Sequence, residues 1–190
     1  MSDDDQTGPT GQLYRLAWIF YLLLAVAAVV WIGAREGAIP LSLFLRWPGA
    51  LVDLALGVAA GLALVGLWSV ARKAFESARR LEEELRRLLG PAEPAEVMAL
   101  ALLSGFAEEL FFRGAVQAAF GWVAATVLFT ALHIGGGRSF RLWTLFAAIA
   151  GLMFAGLVIW RESLLSAMVA HVVVNAVNLR HLAAKEAEAQ

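Results

Sequence analysis

The chain has 190 residues, 61% of them hydrophobic, a net charge of −1 and a mean hydropathy of +0.72. That apolar balance excludes an ordinary soluble domain, and the near-neutral charge excludes electrostatic binding of nucleic acid. With no cysteine, disulfides, thiolate zinc sites and cysteine nucleophiles are excluded as well.

Residues 1–12 are polar with Gly and Pro and are expected to form a disordered tail. Their acidic start, Asp3-Asp4-Asp5, is unlike the basic opening of a signal peptide, so the first apolar run is expected to stay as a helix. Apolar runs over 13–34 and 51–71 predict two spans, joined by a loop over 36–48 with a short interfacial piece. Asp53 lies at the mouth of the second span and is expected to be solvated or to cap the helix. Residues 72–90 break the pattern. They are rich in charge, yet Phe75, Ala78, Leu81, Leu85, Leu88 and Leu89 recur at helical spacing. This predicts an amphipathic connector on the membrane surface or against the protein. Gly90-Pro91 is read as its end and Pro94 as the start of the next helix.

Four further segments follow: 96–119, a short one over 121–134 that ends in Gly135-Gly136-Gly137, 142–160, and 164–183, with a solvated tail over 184–190. The expected fold class is all-α, a polytopic transmembrane helix bundle with about six membrane helices plus an amphipathic interfacial helix. It forms one membrane domain over 13–183, with the motif-bearing core in 95–183. All seven tryptophans fall near span ends, as an interfacial aromatic belt requires. Placing both termini in the cytoplasm puts eleven Lys and Arg inside and only Arg35, Arg46 and Arg161 outside, which predicts a multi-pass protein of the inner (plasma) membrane in that orientation.

Within the third span lies Ser104-Gly105-Phe106-Ala107-Glu108-Glu109-Leu110-Phe111-Phe112-Arg113-Gly114. Ionised groups at bilayer depth are costly and usually mark a functional site. Glu109 and Arg113, four apart, share a helix face and can pair. Glu108 sits roughly 100° round the helix and is free for another partner. The structural alternative is an ion-pair cluster that only fixes helix packing. His133 follows Phe129 by one turn, His171 and Asn175 share a face, and Asn178 continues that side. His181, near a helix end, is expected at the interface. Two histidines, an asparagine and two glutamates from three spans point to one buried site.

A free carboxylate beside a histidine can act as general base on water, and a second histidine with an amide can donate to an oxyanion. The same donors could hold a metal, although no His-Glu-x-x-His helix is present. No serine has the local context of a nucleophile.

Glu108-Glu109-x-x-x-Arg113, Phe129-x-x-x-His133 and His171-x-x-x-Asn175, in that order on successive helices, resemble the CAAX-protease and bacteriocin-processing family of intramembrane endopeptidases. The resemblance covers roughly residues 95–180. It implies a glutamate-dependent peptide hydrolase in which Glu108 and His133 activate water and His171 and Asn175 stabilise the oxyanion. Glu109 and Arg113, with Phe129, take structural or substrate-positioning roles. No cofactor and no metal are implied, a metal-dependent mechanism being the secondary reading. The implied partners are a peptide or protein substrate at the membrane and the lipid bilayer.

Only two spans precede the motif helices, so the prenylated tail cut by the eukaryotic enzymes does not carry over. Bacterial relatives mature peptides or process C-terminal sorting anchors in the manner of myxosortases. Two other classes stand beside the protease: a non-enzymatic membrane adaptor or immunity protein, and a proton-coupled carrier. Against the carrier stand the few spans and the lack of an inverted repeat.

Overall fold

A bilayer offers the backbone no water, so a spanning chain must satisfy its own amides, which here it does with helices. The computed structural model describes residues 9–89 and 92–187. They form α1 (Pro9–Glu36), a short 3₁₀ turn (Leu41–Leu43), α2 (Ala50–Ala74), α3 (Glu76–Leu89), α4 (Pro94–Glu109), a π-helix (Leu110–Gln117), α5 (Ala118–Leu132), α6 (Arg138–Arg161) and α7 (Leu165–Ala187). Among the described residues four stretches are long and apolar enough to cross a membrane by length and composition: Tyr14–Glu36, Ala50–Ala74, Pro94–Leu132 and Arg138–Arg161. The α7 helix is long enough but is diluted by His171, Asn175, Asn178, Arg180 and His181. The chain is thus a helical multi-pass membrane protein.

The stretch Pro94–Leu132 holds the expected third and fourth spans as two helices on either side of a kink. It breaks at Gly121, with φ 86° and ψ 166°, a conformation that costs glycine nothing and other residues much. The start of α1 at Pro9 makes residues 9–12 of the expected tail helical, while 1–8, 188–190 and the Gly90-Pro91 junction lie outside the described residues. Pro94 opens α4 behind a capping box, in which the Glu93 N–H donates to Glu96 Oε2 at 3.2 Å. The amphipathic connector is two pieces. Helix α2 runs on to Ala74, Phe75 is extended, and α3 buries Ala78, Leu81 and Glu82. On its outer face Arg80 donates to Glu76 and holds that carboxylate below its ordinary range.

Leu16, Leu23 and Val30 of α1, Leu62 and Val70 of α2, and Val127 and Leu132 of α5 are exposed, the apolar surface a lipid contact requires. Inside, small residues let backbones approach. A Cβ on Gly61 of α2 would lie 2.7 Å from Val173 Cβ and 2.8 Å from the Ala170 carbonyl of α7. Gly105 of α4 is as tight against Val172, at 2.8 Å from its Cγ2. These contacts set the position of α7, which carries His171 and Asn175. Gly61→Ala is therefore expected to lower the melting temperature in detergent, at about 1–3 kcal/mol for overpacking. Unchanged melting would mean that α2 and α7 part freely.

Two expectations are corrected by the packing. Asp53 is neither solvated nor a cap: it is fully buried, and Arg161 at the end of α6 donates to its Oδ1. A carboxylate taken out of water needs such a partner. Trp68 and Trp143 are not belt residues. Trp68 is buried 6.1 Å from Trp143 and 5.2 Å from Phe146, and its Nε1 donates to Glu82 at 3.0 Å. Trp47, Trp122 and Trp160 are exposed, as belt residues would be. His181, expected at the interface, is half-buried, 3.7 Å from Glu82 Oε2 and bonded to Arg72.

Candidate active site

The site is built around the change of helix type at Glu109. There α4 widens into the eight-residue π-helix, a form seen mostly as single-turn bulges and often at functional sites. Leu110, Phe112, Arg113, Gly114, Ala115 and Val116 are all buried along it. The two carboxylates leave the helix in different directions. Glu109 Oε1 accepts from Arg113 at 3.1 Å and from His171 Nδ1 at 2.8 Å, with the Glu109 and Arg113 side chains wholly buried. Arg113 also donates to the Gly151 carbonyl of α6 at 3.1 Å. Its guanidinium lies 4.5 Å from the Phe129 ring and 5.3 Å from Phe154, so aromatic faces take the place of water around the charge.

Glu108 faces the other way. Its Oε2 is buried, has no hydrogen-bond donor among the described residues, and stands 4.0 Å from His133 Nε2. The other ring nitrogen, Nδ1, donates to the Phe129 carbonyl at 2.7 Å. A carbonyl can only accept, so in the neutral ring the proton sits on Nδ1 and Nε2 presents a lone pair to Glu108. Two acceptors at this spacing cannot bond each other but can share a water.

On α7, the His171 ring stacks on Phe154 at 5.0 Å. One turn on, Asn175 Nδ2 donates to Ser104 Oγ at 2.9 Å, and Ser104 in turn donates to the Ala101 carbonyl. These groups line a cavity of about 260 Å³. The rest of its lining is largely apolar and aromatic, with Trp68, Trp143 and Phe146 and with Leu85 and Leu89 of α3. Glu82, clasped by Trp68, Arg72 and His181, ties α3 down as that wall. The connector therefore forms part of the cavity.

The structure brings Glu108, His133, His171 and Asn175 to this one cavity, with Glu109 and Arg113 behind it. Phe129 sits between Arg113 and the His133 ring, whose centroid is 4.4 Å away. His171 and Asn175 do not stand free: each is already engaged, one by Glu109 and the other by Ser104. Sequence reasoning missed Ser104 as a partner, Phe154, and Tyr21 of α1, which lines the same cavity. Tyr21 did leave a signal, a hydroxyl in mid-span and one of only two tyrosines. Phe154 left none, being one apolar residue in an apolar helix. Among the described residues no three of Asp, Glu and His gather as metal ligands.

Comparison with known proteins bears on the same stretch. The family model described as Type II CAAX prenyl endopeptidase Rce1-like matches residues 91–177, which hold every motif residue from Glu108 to Asn175. An uncharacterized protein of Bacillus subtilis (strain 168), YpbD, is 37% identical over 83 residues, 43% of this chain and 42% of that protein. The match therefore spans less than half of either chain. No solved structure matches. With its motif helices in order and converging on one buried cavity, the chain is similar, over residues 91–177, to the type II CAAX prenyl endopeptidases.

Proposed function

We propose that this protein is an intramembrane endopeptidase that hydrolyses a peptide bond with water activated by Glu108 and His133. One observation carries the reading: a buried carboxylate oxygen without a donor, 4.0 Å from an imidazole nitrogen whose partner nitrogen is already tied. In this scheme the water bridges Glu108 Oε2 and His133 Nε2. Glu108 takes its proton as the oxygen attacks the carbonyl carbon, and returns that proton to the amine as the C–N bond breaks. Asn175 has a second amide hydrogen beyond the one given to Ser104, and it is free for the oxyanion. His171 can join it only with both ring protons in place, Nδ1–H to Glu109 and Nε2–H to the oxyanion. Glu109 and Arg113 hold His171 for that task.

The substrate in this reading is a membrane-associated or C-terminally anchored protein or peptide, its cut segment lying in the cavity. The protein sits in the inner membrane with both termini cytoplasmic. A tag on Gln190 is then expected to be cut only from the cytoplasmic side, and cleavage from outside intact cells reverses the topology. Activity is expected to survive exhaustive chelation. If the dialysed enzyme is inert and one divalent ion restores it, water activation belongs to the metal.

The experiment that tests the activity is intact-mass comparison of membrane proteins from cells with and without this chain. A peptide-sized loss restored by the wild type but not by Glu108→Ala supports the protease and names the substrate. Full biological function with Glu108→Ala supports the adaptor instead.

A further inference from the structure

The two glutamates differ in how their charge is held. Glu109 has Arg113 and His171 on one oxygen. Glu108 is only 6% exposed, and among the described residues no lysine or arginine lies within ion-pair distance of it. A buried carboxylate without donors is costly, yet a general base must be ionised and must keep an oxygen open to water. A donor is at hand outside the family-matched stretch. Tyr21 of α1 lines the same cavity as Glu108, and its hydroxyl lies close enough to feel the carboxylate's charge.

Its place in the helix excludes a belt role. The span runs Tyr14–Glu36, which puts Tyr21 about 10 Å along it from the start, deeper than an interfacial ring sits. Its neighbours Phe20, Leu22 and Leu23 face outward and are exposed, while Tyr21 turns in. A phenol at that depth needs a partner for its hydroxyl, and the Glu108 carboxylate in the same cavity can accept from it.

We propose that Tyr21 is a positioning residue for the hydrolysis: its hydroxyl donates to Glu108, fixes the carboxylate's orientation and holds its charge while Oε2 stays open to water. This rests on the reading of Glu108 as the general base. It makes α1 part of the active site, so that residues 91–177 alone carry an incomplete one.

The test uses the full chain in lipid nanodiscs, as wild type, Tyr21→Phe and Glu108→Gln. Subtracting the infrared spectrum of Glu108→Gln from that of the wild type isolates the Glu108 carboxylate band. That band is expected to move in Tyr21→Phe. On a quenched fluorescent peptide carrying the sequence found cut in the mass comparison, kcat is expected to fall about 10- to 100-fold, the scale of one hydrogen bond to a charged group, with KM and melting unchanged. An unmoved band overturns the hydrogen bond whatever the kinetics. A moved band with unchanged kcat overturns the positioning role and leaves Glu108 as base. A loss of kcat that comes with lower melting counts as structural and also overturns it. If the band moves but the wild type cleaves nothing, the protease reading fails, and the positioning role falls with it.

Discussion

Glu108→Gln is expected to fold and melt like the wild type while losing at least about 10²- to 10⁴-fold in turnover, the usual contribution of a general base. The amide matches the carboxylate in shape and can still accept from Tyr21, but it cannot take a proton from water. Glu108 faces the cavity with one oxygen unpartnered, so the change breaks no ion pair of the helix packing. Purified variants assayed in lipid beside a melting curve check both halves. If Glu108→Gln stays active while Glu109→Gln is stable and dead, the roles of the two glutamates are reversed.

Glu109→Ala is expected to behave in the opposite way, losing about 3–5 kcal/mol of stability together with activity. The carboxylate serves two partners at once, so its removal leaves the Arg113 guanidinium uncompensated and His171 untied. Arg113 also holds the Gly151 carbonyl of α6, so the damage spreads from α4 to α6 and α7. The double change Glu109→Leu with Arg113→Met is expected to recover much of the melting temperature, because an apolar pair avoids the stranded charge. It is not expected to recover activity, since His171 stays unanchored. Thermal melting of the single and double variants checks this, and a single variant as stable as the wild type would remove the pair from the fold's support.

Several features were legible along the chain because they depend on composition or on local backbone chemistry. Long apolar runs predict helices wherever the backbone has no water to bond. Pro94 marks a helix start because its missing N–H costs nothing there. Gly121 marks a break because a positive φ suits it alone. Glu108, Glu109, Arg113, His133, His171 and Asn175 were visible for one reason: polar groups at bilayer depth are expensive and stand out against Leu, Val and Ala.

Which way each residue faces was decided only by the tertiary structure. In a soluble helix the apolar stripe points to the core, but in a bilayer the outward face is apolar too, so periodicity loses its meaning. Trp68 and Trp143 near span ends read as belt residues and instead line the cavity. Asp53 looked solvated because its partner, Arg161, is 108 residues away. Phe154 under His171, Ser104 on Asn175, and Tyr21 in one cavity with Glu108 are meetings between helices far apart in the chain. The residues of the site came from the sequence, as polar exceptions to a lipid-like background. Their pairing came from the close approach of α2, α4 and α7 at small residues, which sets the distances at which a carboxylate, an imidazole and an amide act on one another.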